Sequence, residues 1–234
     1  MQEIYYNGKH SYQDLGLTLS FGKEIDYPSK EKRTRRPTYS NSDIDFSELY
    51  GSQIYTNRIL KYPFNILCRN EKEMHFRKTQ IMNWLMDSNG KQPLHDSEIE
   101  GYHFLAEVVN KPNFDLNMFD GGLLTIEFEA YPFKIKDAVE GSPYWDDYSI
   151  MDYYQEVEFD ITGNKNIELM NNGISVVFPE IISSSPMSIK YKDVTITIPA
   201  GTHTSYDLPL YKGMNSFTVS GNGKVHFKWN KEVV

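Results

Sequence analysis

From Val157 to Trp229 the chain is written as short runs of strand composition separated by glycine- and asparagine-rich turns, a rhythm that an antiparallel β-domain accommodates and a helical one does not. The runs are Val157 to Ile161, Ile167 to Leu169, Val176 to Phe178, Met187 to Tyr191, Val194 to Ile198, Ser216 to Val219 and Val225 to Trp229. Gly163-Asn164, Asn171-Asn172-Gly173 and Pro199-Ala200-Gly201 punctuate them. In the last run, a period of two sets Trp229 on the face of Val225 and Phe227, opposite His226 and Lys228. Trp229 is therefore expected in a core, and the segment as a whole in a β-sandwich.

The first half reads mainly as strand with one change of period. Ile4-Tyr5-Tyr6 ends in Asn7-Gly8, whose tolerance of positive φ predicts a tight hairpin turn. Leu15, Leu17 and Leu19 alternate after it. Asn57 to Arg69 predicts a long strand, with Pro63 suggesting an edge or a bulge because proline donates no ladder hydrogen bond. Met74, Ile81, Trp84 and Leu85 then fall on one helical face, closed by Asn89-Gly90. Strand text returns at Tyr102 to Val109 and Leu123 to Tyr131. Gly22 to Ser42 has no apolar face and carries Lys30, Lys32, Arg33, Arg35 and Arg36 between Pro28 and Pro37, so an extended arm or long loop is expected there. Eight carboxylates and no Lys or Arg lie between Asp137 and Asp160, marking a junction. The expected division is 1–140 for an N-terminal β domain with one packed helix and the arm, and 141–234 for the sandwich.

At 234 residues, two modest domains are expected. With 39% hydrophobic and 14% aromatic residues against 24% charged, there is ample material to bury. A net charge of -8 argues against a broad grip on nucleic acid, which needs many Lys and Arg contacts to phosphate. No apolar run approaches the roughly 20 residues that span a bilayer. Met1 to Asp14 lacks a signal-peptide pattern, so synthesis in the cytosol is expected. The one cysteine, Cys68, sits in the apolar run Ile66-Leu67-Cys68, where a buried, unreactive thiol is expected.

Four stretches in fixed order carry a resemblance: Tyr6-Asn7-Gly8 with Ser11-Tyr12-Gln13-Asp14-Leu15-Gly16-Leu17; Asp45-Phe46-Ser47-Glu48-Leu49-Tyr50-Gly51 leading through Tyr55 and Arg58 into Leu60-Lys61-Tyr62-Pro63-Phe64; the helix around Trp84; and Gly121-Gly122 closing on Ala130-Tyr131-Pro132-Phe133. Weaker echoes follow at Asn171-Asn172-Gly173, Phe178-Pro179-Glu180-Ile181, Gly213-Met214-Asn215-Ser216-Phe217 and Gly221-Asn222-Gly223. Together they resemble the distal tail proteins of long-tailed phages or prophages of Gram-positive bacteria. The resemblance implies a ring-forming N-terminal domain and a galectin-like C-terminal sandwich in a virion tail, assembled in the host cytoplasm. It further implies a hexameric hub that joins the tail tube protein to the tail-tip or receptor-binding proteins of the baseplate in host adsorption. DNA would pass through such a ring without being bound. In that setting the expected subunit interface is the arm, through Lys30, Lys32, Arg33, Arg35, Arg36 and Tyr39.

No enzyme is expected. His10, His75, His95, His103, His203 and His226 are scattered without a His-x-x-x-His pair, and the nearest ligand cluster, His95 with Asp96 and Glu98, lacks calcium-loop spacing. No catalytic, cofactor or metal residue is assigned. Asp146, Asp147, Asp152, Glu156, Glu158 and Asp160 supply enough acids for a glycosidase pair, but adjacent acids in a junction read as a solvated linker. Nucleophile elbows and phosphate loops are missing from the sequence. The alternative to a hub is a carbohydrate-binding module for host-wall glycan, with Tyr144, Trp145 and Tyr148 as an aromatic platform for a sugar or a partner.

Overall fold

The computed structural model describes residues 2–49, 51–117, 121–149 and 152–234, so Tyr50 of the second motif and Ile150 and Met151 of the acidic junction lie outside the described residues. The chain is mainly β and divides into two compact units, Met1–Lys134 with Val234, and Ile135–Val233.

In the first unit, β1 (Ile4–Tyr6) and β2 (Lys9–His10) form the hairpin that Asn7-Gly8 predicts, both turn residues having positive φ, 45° and 76°. β3 (Thr18–Leu19) and β4 (Glu24–Ile25) are short, and β5 (Thr34–Arg35) and β6 (Ile44–Asp45) make a separate two-stranded ribbon. β7 (Arg58–Leu67) is the long strand read from Asn57 to Arg69. The Leu15 to Leu19 segment does not return to β1. It buries Leu15 and Leu17 and pairs with β7, Thr18 opposite Asn65.

The helix α1 (Glu71–Met86) begins where Asn70 accepts the Glu73 amide at 2.9 Å and Glu73 accepts the Arg69 amide at 2.9 Å, a reciprocal cap for otherwise unpaired donors. It buries Ile81, Trp84 and Leu85, and the Trp84 indole N–H donates to the Tyr6 carbonyl at 2.7 Å. β8 (Gln92–Asp96), β9 (Tyr102–Val108), β10 (Asn113–Asn117) and β11 (Gly121–Val139) complete a sheet of order β2-β1-β8-β9-β11-β7-β3, with β10 also on β11 and β4 also on β7. Pro63 is neither at an edge nor in a bulge: it sits opposite Thr125 within the β7–β11 ladder. On the other side of β7, β3 pairs with residues 64 and 65 and β4 with residues 60 and 61, so the missing N–H falls where the two short strands leave a gap. The core gathers Tyr6, Tyr62, Phe64, Phe104, Ile126 and Phe128, with Tyr6 and Tyr62 edge-on to Phe128.

The second unit holds the end of β11, from Ile135, followed by β12 (Glu158–Asn171), β13 (Glu180–Ser183), β14 (Met187–Tyr191), β15 (Val194–Ile198), β16 (Gly201–Thr204), β17 (Gly213–Lys228) and β18 (Asn230–Val233). β18 pairs with β11. The other six form one curled sheet of order β15-β14-β17-β13-β16, with β12 alongside β17. Alternate residues of β12, β13, β14, β15 and β17 point into one core, among them Phe159, Ile167, Leu169, Ile189, Phe217, Val225 and Phe227. Trp229 is buried with them, as its parity predicts.

Two glycines of β17 sit where a side chain would not fit. Gly221 and Gly223 have φ of 149° and 135°, and a Cβ on Gly223 would lie 2.4 Å from the Ser184 hydroxyl oxygen, which accepts the Lys224 amide. Gly163, across the ladder from Gly221, has φ of 76° but opens onto free space. Gly223→Ala is therefore expected to cost about 1–3 kcal/mol and Gly163→Ala about 1 kcal/mol. Urea unfolding followed by near-UV circular dichroism checks the order, and equal costs would refute the steric argument.

Candidate assembly surfaces

The arm is an ordered ribbon rather than a bare loop. β5 and β6 pair Thr34 with Asp45 and Arg35 with Ile44, and Lys30 bridges to Tyr55 at the base. Two residues of the second motif close it: Ser47 accepts the Arg33 amide at 2.8 Å and donates its own amide to the Asp45 carboxylate at 2.8 Å. Three of the five basic residues are spent inside the ribbon, Lys32 on Asp45 at 2.7 Å, Arg33 on Glu31 at 2.9 Å and Arg36 on Asp43 at 2.8 Å. The hydrogen bond from Lys32 holds the Asp45 carboxyl well below the usual carboxylate range. Lys30 and Arg35 have no carboxylate partner among the described residues. Tyr39 stands fully exposed at a φ of 67°, and Ile44, Phe46 and Leu49 are exposed near it in sequence.

Arg58, another motif residue, is structural. It is buried, donates to the Asp26 carbonyl at 2.7 Å and lies over the Phe104 ring at 5.2 Å, which fixes the chain leaving β4 against β7. Burial pushes its pKa down, with Tyr27 and Asp26 opposing.

The aromatic platform splits. Tyr144 and Trp145 flank and open a short 3-10 turn (Trp145–Asp147) and are exposed, Trp145 to 87%. Tyr148 is anchored: its hydroxyl donates to the Ser142 carbonyl at 2.7 Å, its ring lies 5.8 Å from that of Tyr154, and the Lys136 ammonium sits 5.0 Å from the ring centre. Burial, then Glu140, pushes the Tyr148 hydroxyl pKa up.

The acidic junction is not a solvated linker throughout. Asp152, its side chain 2% exposed, accepts Lys136 and Lys231 at 2.8 Å each, both of them buried, and the Ser149 amide at 2.8 Å. Burial opposes the charge of Asp152, but these three donors outweigh it and hold the carboxyl well below the usual carboxylate range. Glu140 is buried close by and its pKa is pushed up, chiefly by desolvation. Lys136 and Lys231 lie on β11 and β18, and each buried ammonium requires an anion, a pairing that only the fold brings together.

Residues with chemical potential are engaged elsewhere. Asp96 accepts the Tyr62 hydroxyl at 2.9 Å and Lys23 at 3.1 Å, and Glu98 takes Lys23 and Gln2, so the two carboxylates of the His95, Asp96 and Glu98 cluster are committed to protein donors. Cys68 is buried with its thiol pKa raised by desolvation, the reverse of an activated nucleophile.

No family model and no curated protein matches the sequence. Among solved structures, the Dit protein of phage SPP1, described as a paradigm of the hub adsorption apparatus in phages infecting Gram-positive bacteria, overlays with a TM-score of 0.63 at 12% identity, covering 100% of both chains. The baseplate of phage p2 in its activated conformation overlays at 8% identity with TM-scores of 0.43 in the strontium form, covering 99% of this chain and 97% of that one, and 0.44 in the calcium form, covering 100% and 97%; overlap at that level does not define a common fold.

Asp152→Asn is expected to cost about 3–5 kcal/mol by leaving two buried ammoniums without their anion. Because the folded pKa of Asp152 lies below its unfolded value of 3.8, its contribution is complete above that value and is lost as pH falls through the folded one. Denaturation midpoints measured from pH 7 downward check both statements: the wild-type advantage over Asp152→Asn should be flat near neutrality and shrink only in strong acid. Over its whole length, the chain has the fold of the SPP1 Dit protein.

Proposed function

We propose that this chain is a structural hub of a phage tail, its copies closing as a ring, of six in the resembling family, that joins the tail tube to the adsorption proteins. The observation that carries the reading is the overlay on SPP1 Dit across both complete chains, which includes both units rather than one common β module. A closed ring needs a heterologous interface, in which one patch meets a different patch on the next copy. The β5–β6 ribbon suits that role: it is prefolded, so docking orders little new backbone, and it offers Arg35, Lys30 and the exposed Tyr39 to an acidic neighbour. The acidic balance of the chain lets DNA pass through the ring without adhering. In this reading the protein resides in the virion tail, and its partners are itself, the tube protein and the tail-tip proteins.

The exposure of Tyr144 and Trp145 favours a second role, stacking on host-wall glycan. Trp145→Ala would abolish glycan-array binding under that reading and leave assembly untouched.

Negative-stain electron microscopy of the chain with its tube protein is expected to show open-centred rings. Arg35→Glu with Tyr39→Ala is expected to reduce them to monomers without lowering the melting temperature. Monodisperse monomers from the wild-type chain in the presence of the tube protein would overturn the hub reading.

A further inference from the structure

The second unit carries a groove of about 330 Å³ lined by Tyr153, Tyr154, Glu156, Glu168, Met170 and Met214, among others. Met170 and Met214 are opposite each other in the β12–β17 ladder and form an apolar floor, while Glu168 stands two residues before Met170 on the same strand face. Tyr153 and Tyr154 are more than half exposed. Solvent-exposed rings on a loose segment would lose entropy on binding, but this segment is tied at both ends.

Immediately before the tyrosines, Asp152 is pinned by Lys136 and Lys231. Immediately after them, the Gln155 carboxamide accepts the Met170 amide at 2.8 Å and donates to the Met170 carbonyl at 2.7 Å, so a side chain takes the place of a neighbouring strand on β12. The Tyr154 ring also rests on the anchored Tyr148 ring. The groove wall is therefore preorganised, as a binding surface of low entropic cost must be.

Its chemistry selects the occupant. No lining side chain is basic, and two carboxylates, two phenol rings and two thioethers line the groove. Carboxylates attract a cation, phenol faces stabilise it, and methionine accommodates an aliphatic stem. We propose that this groove receives a lysine- or arginine-bearing segment of an adjoining protein, its charged group between Glu156 and Glu168 and its stem on Met170 and Met214. Placing that protein in a tail rests on the hub reading; the groove and its preference for a basic segment do not.

The test is methyl NMR of the full chain labelled at its methionines, with the Met170 and Met214 signals assigned through single Met→Leu variants. The probe is an eight-residue peptide of alternating arginine and leucine, with an alternating glutamate and leucine peptide and a neutral oligosaccharide of glucose as counterparts. The basic peptide should move the Met170 and Met214 signals saturably, and Glu156→Gln with Glu168→Gln should weaken that binding about tenfold, while Asp193→Asn with Asp207→Asn, which removes equal charge elsewhere on the second unit, should not. Gln155→Ala should weaken it with both carboxylates intact, reporting on the preorganised wall. Unmoved methionine signals, equal weakening by both charge variants, or a response to the oligosaccharide in place of the basic peptide would each overturn the assignment. Ring formation by microscopy is a separate readout, so failure of the groove and failure of the hub are distinguishable.

Discussion

Each unit is organised around one long antiparallel ladder, and the rest of the architecture follows from its register. In the first, β7 and β11 pair continuously from Arg58 with Ala130 to Leu67 with Gly121, which puts Leu60, Tyr62, Phe64 and Ile66 on one face beside Leu124, Ile126 and Phe128. In the second, β12 and β17 pair from Glu158 with His226 to Asn171 with Gly213. A slip of one residue in either ladder would turn every one of these side chains to the other face, so burial fixes the pairing far more strongly than any single hydrogen bond does. The helix, the caps and the short strands then settle onto a surface already specified.

Local chemistry made much of this legible. Asn7-Gly8 tolerates the two positive φ values that a two-residue hairpin requires, the helix shows a change of apolar period, and the parity of Val225, Phe227 and Trp229 names its own buried face. What sequence could not show was the set of partners brought in from a distance. The break between β3 and β4 that accommodates Pro63 is produced by chain segments around Thr18 and Glu24, some forty residues upstream by the numbering. Asp152 reads as one acid among eight until Lys136 and Lys231 arrive from different strands. The same holds for the groove: Tyr153 and Tyr154 are ordinary junction residues until Gln155 finds the open side of Met170.

The treatment of charge differs between the two places where the sequence concentrates it. In the ribbon, the ion pairs are exposed and each contributes little to stability, since water screens them. Lys32, Arg33 and Arg36 are already compensated within the ribbon, so its surface carries nearly balanced charge apart from Arg35 and Lys30. At the junction, by contrast, the Asp152 cluster is buried, where removing one member costs several kcal/mol while well-packed apolar replacements can be neutral.

A buried cluster of that kind is weak as a source of stability, and here its donors hold the irregular segment at Asp152. The segment it fixes leads directly into Tyr153 and Tyr154, and Gln155 fixes it again on the far side. Two polar anchors three residues apart thus do for an irregular segment what a ladder does for a strand. They hold exposed rings in place without drawing them into the core, and this is the condition under which a β-sandwich surface can recognise a partner rather than merely expose apolar area.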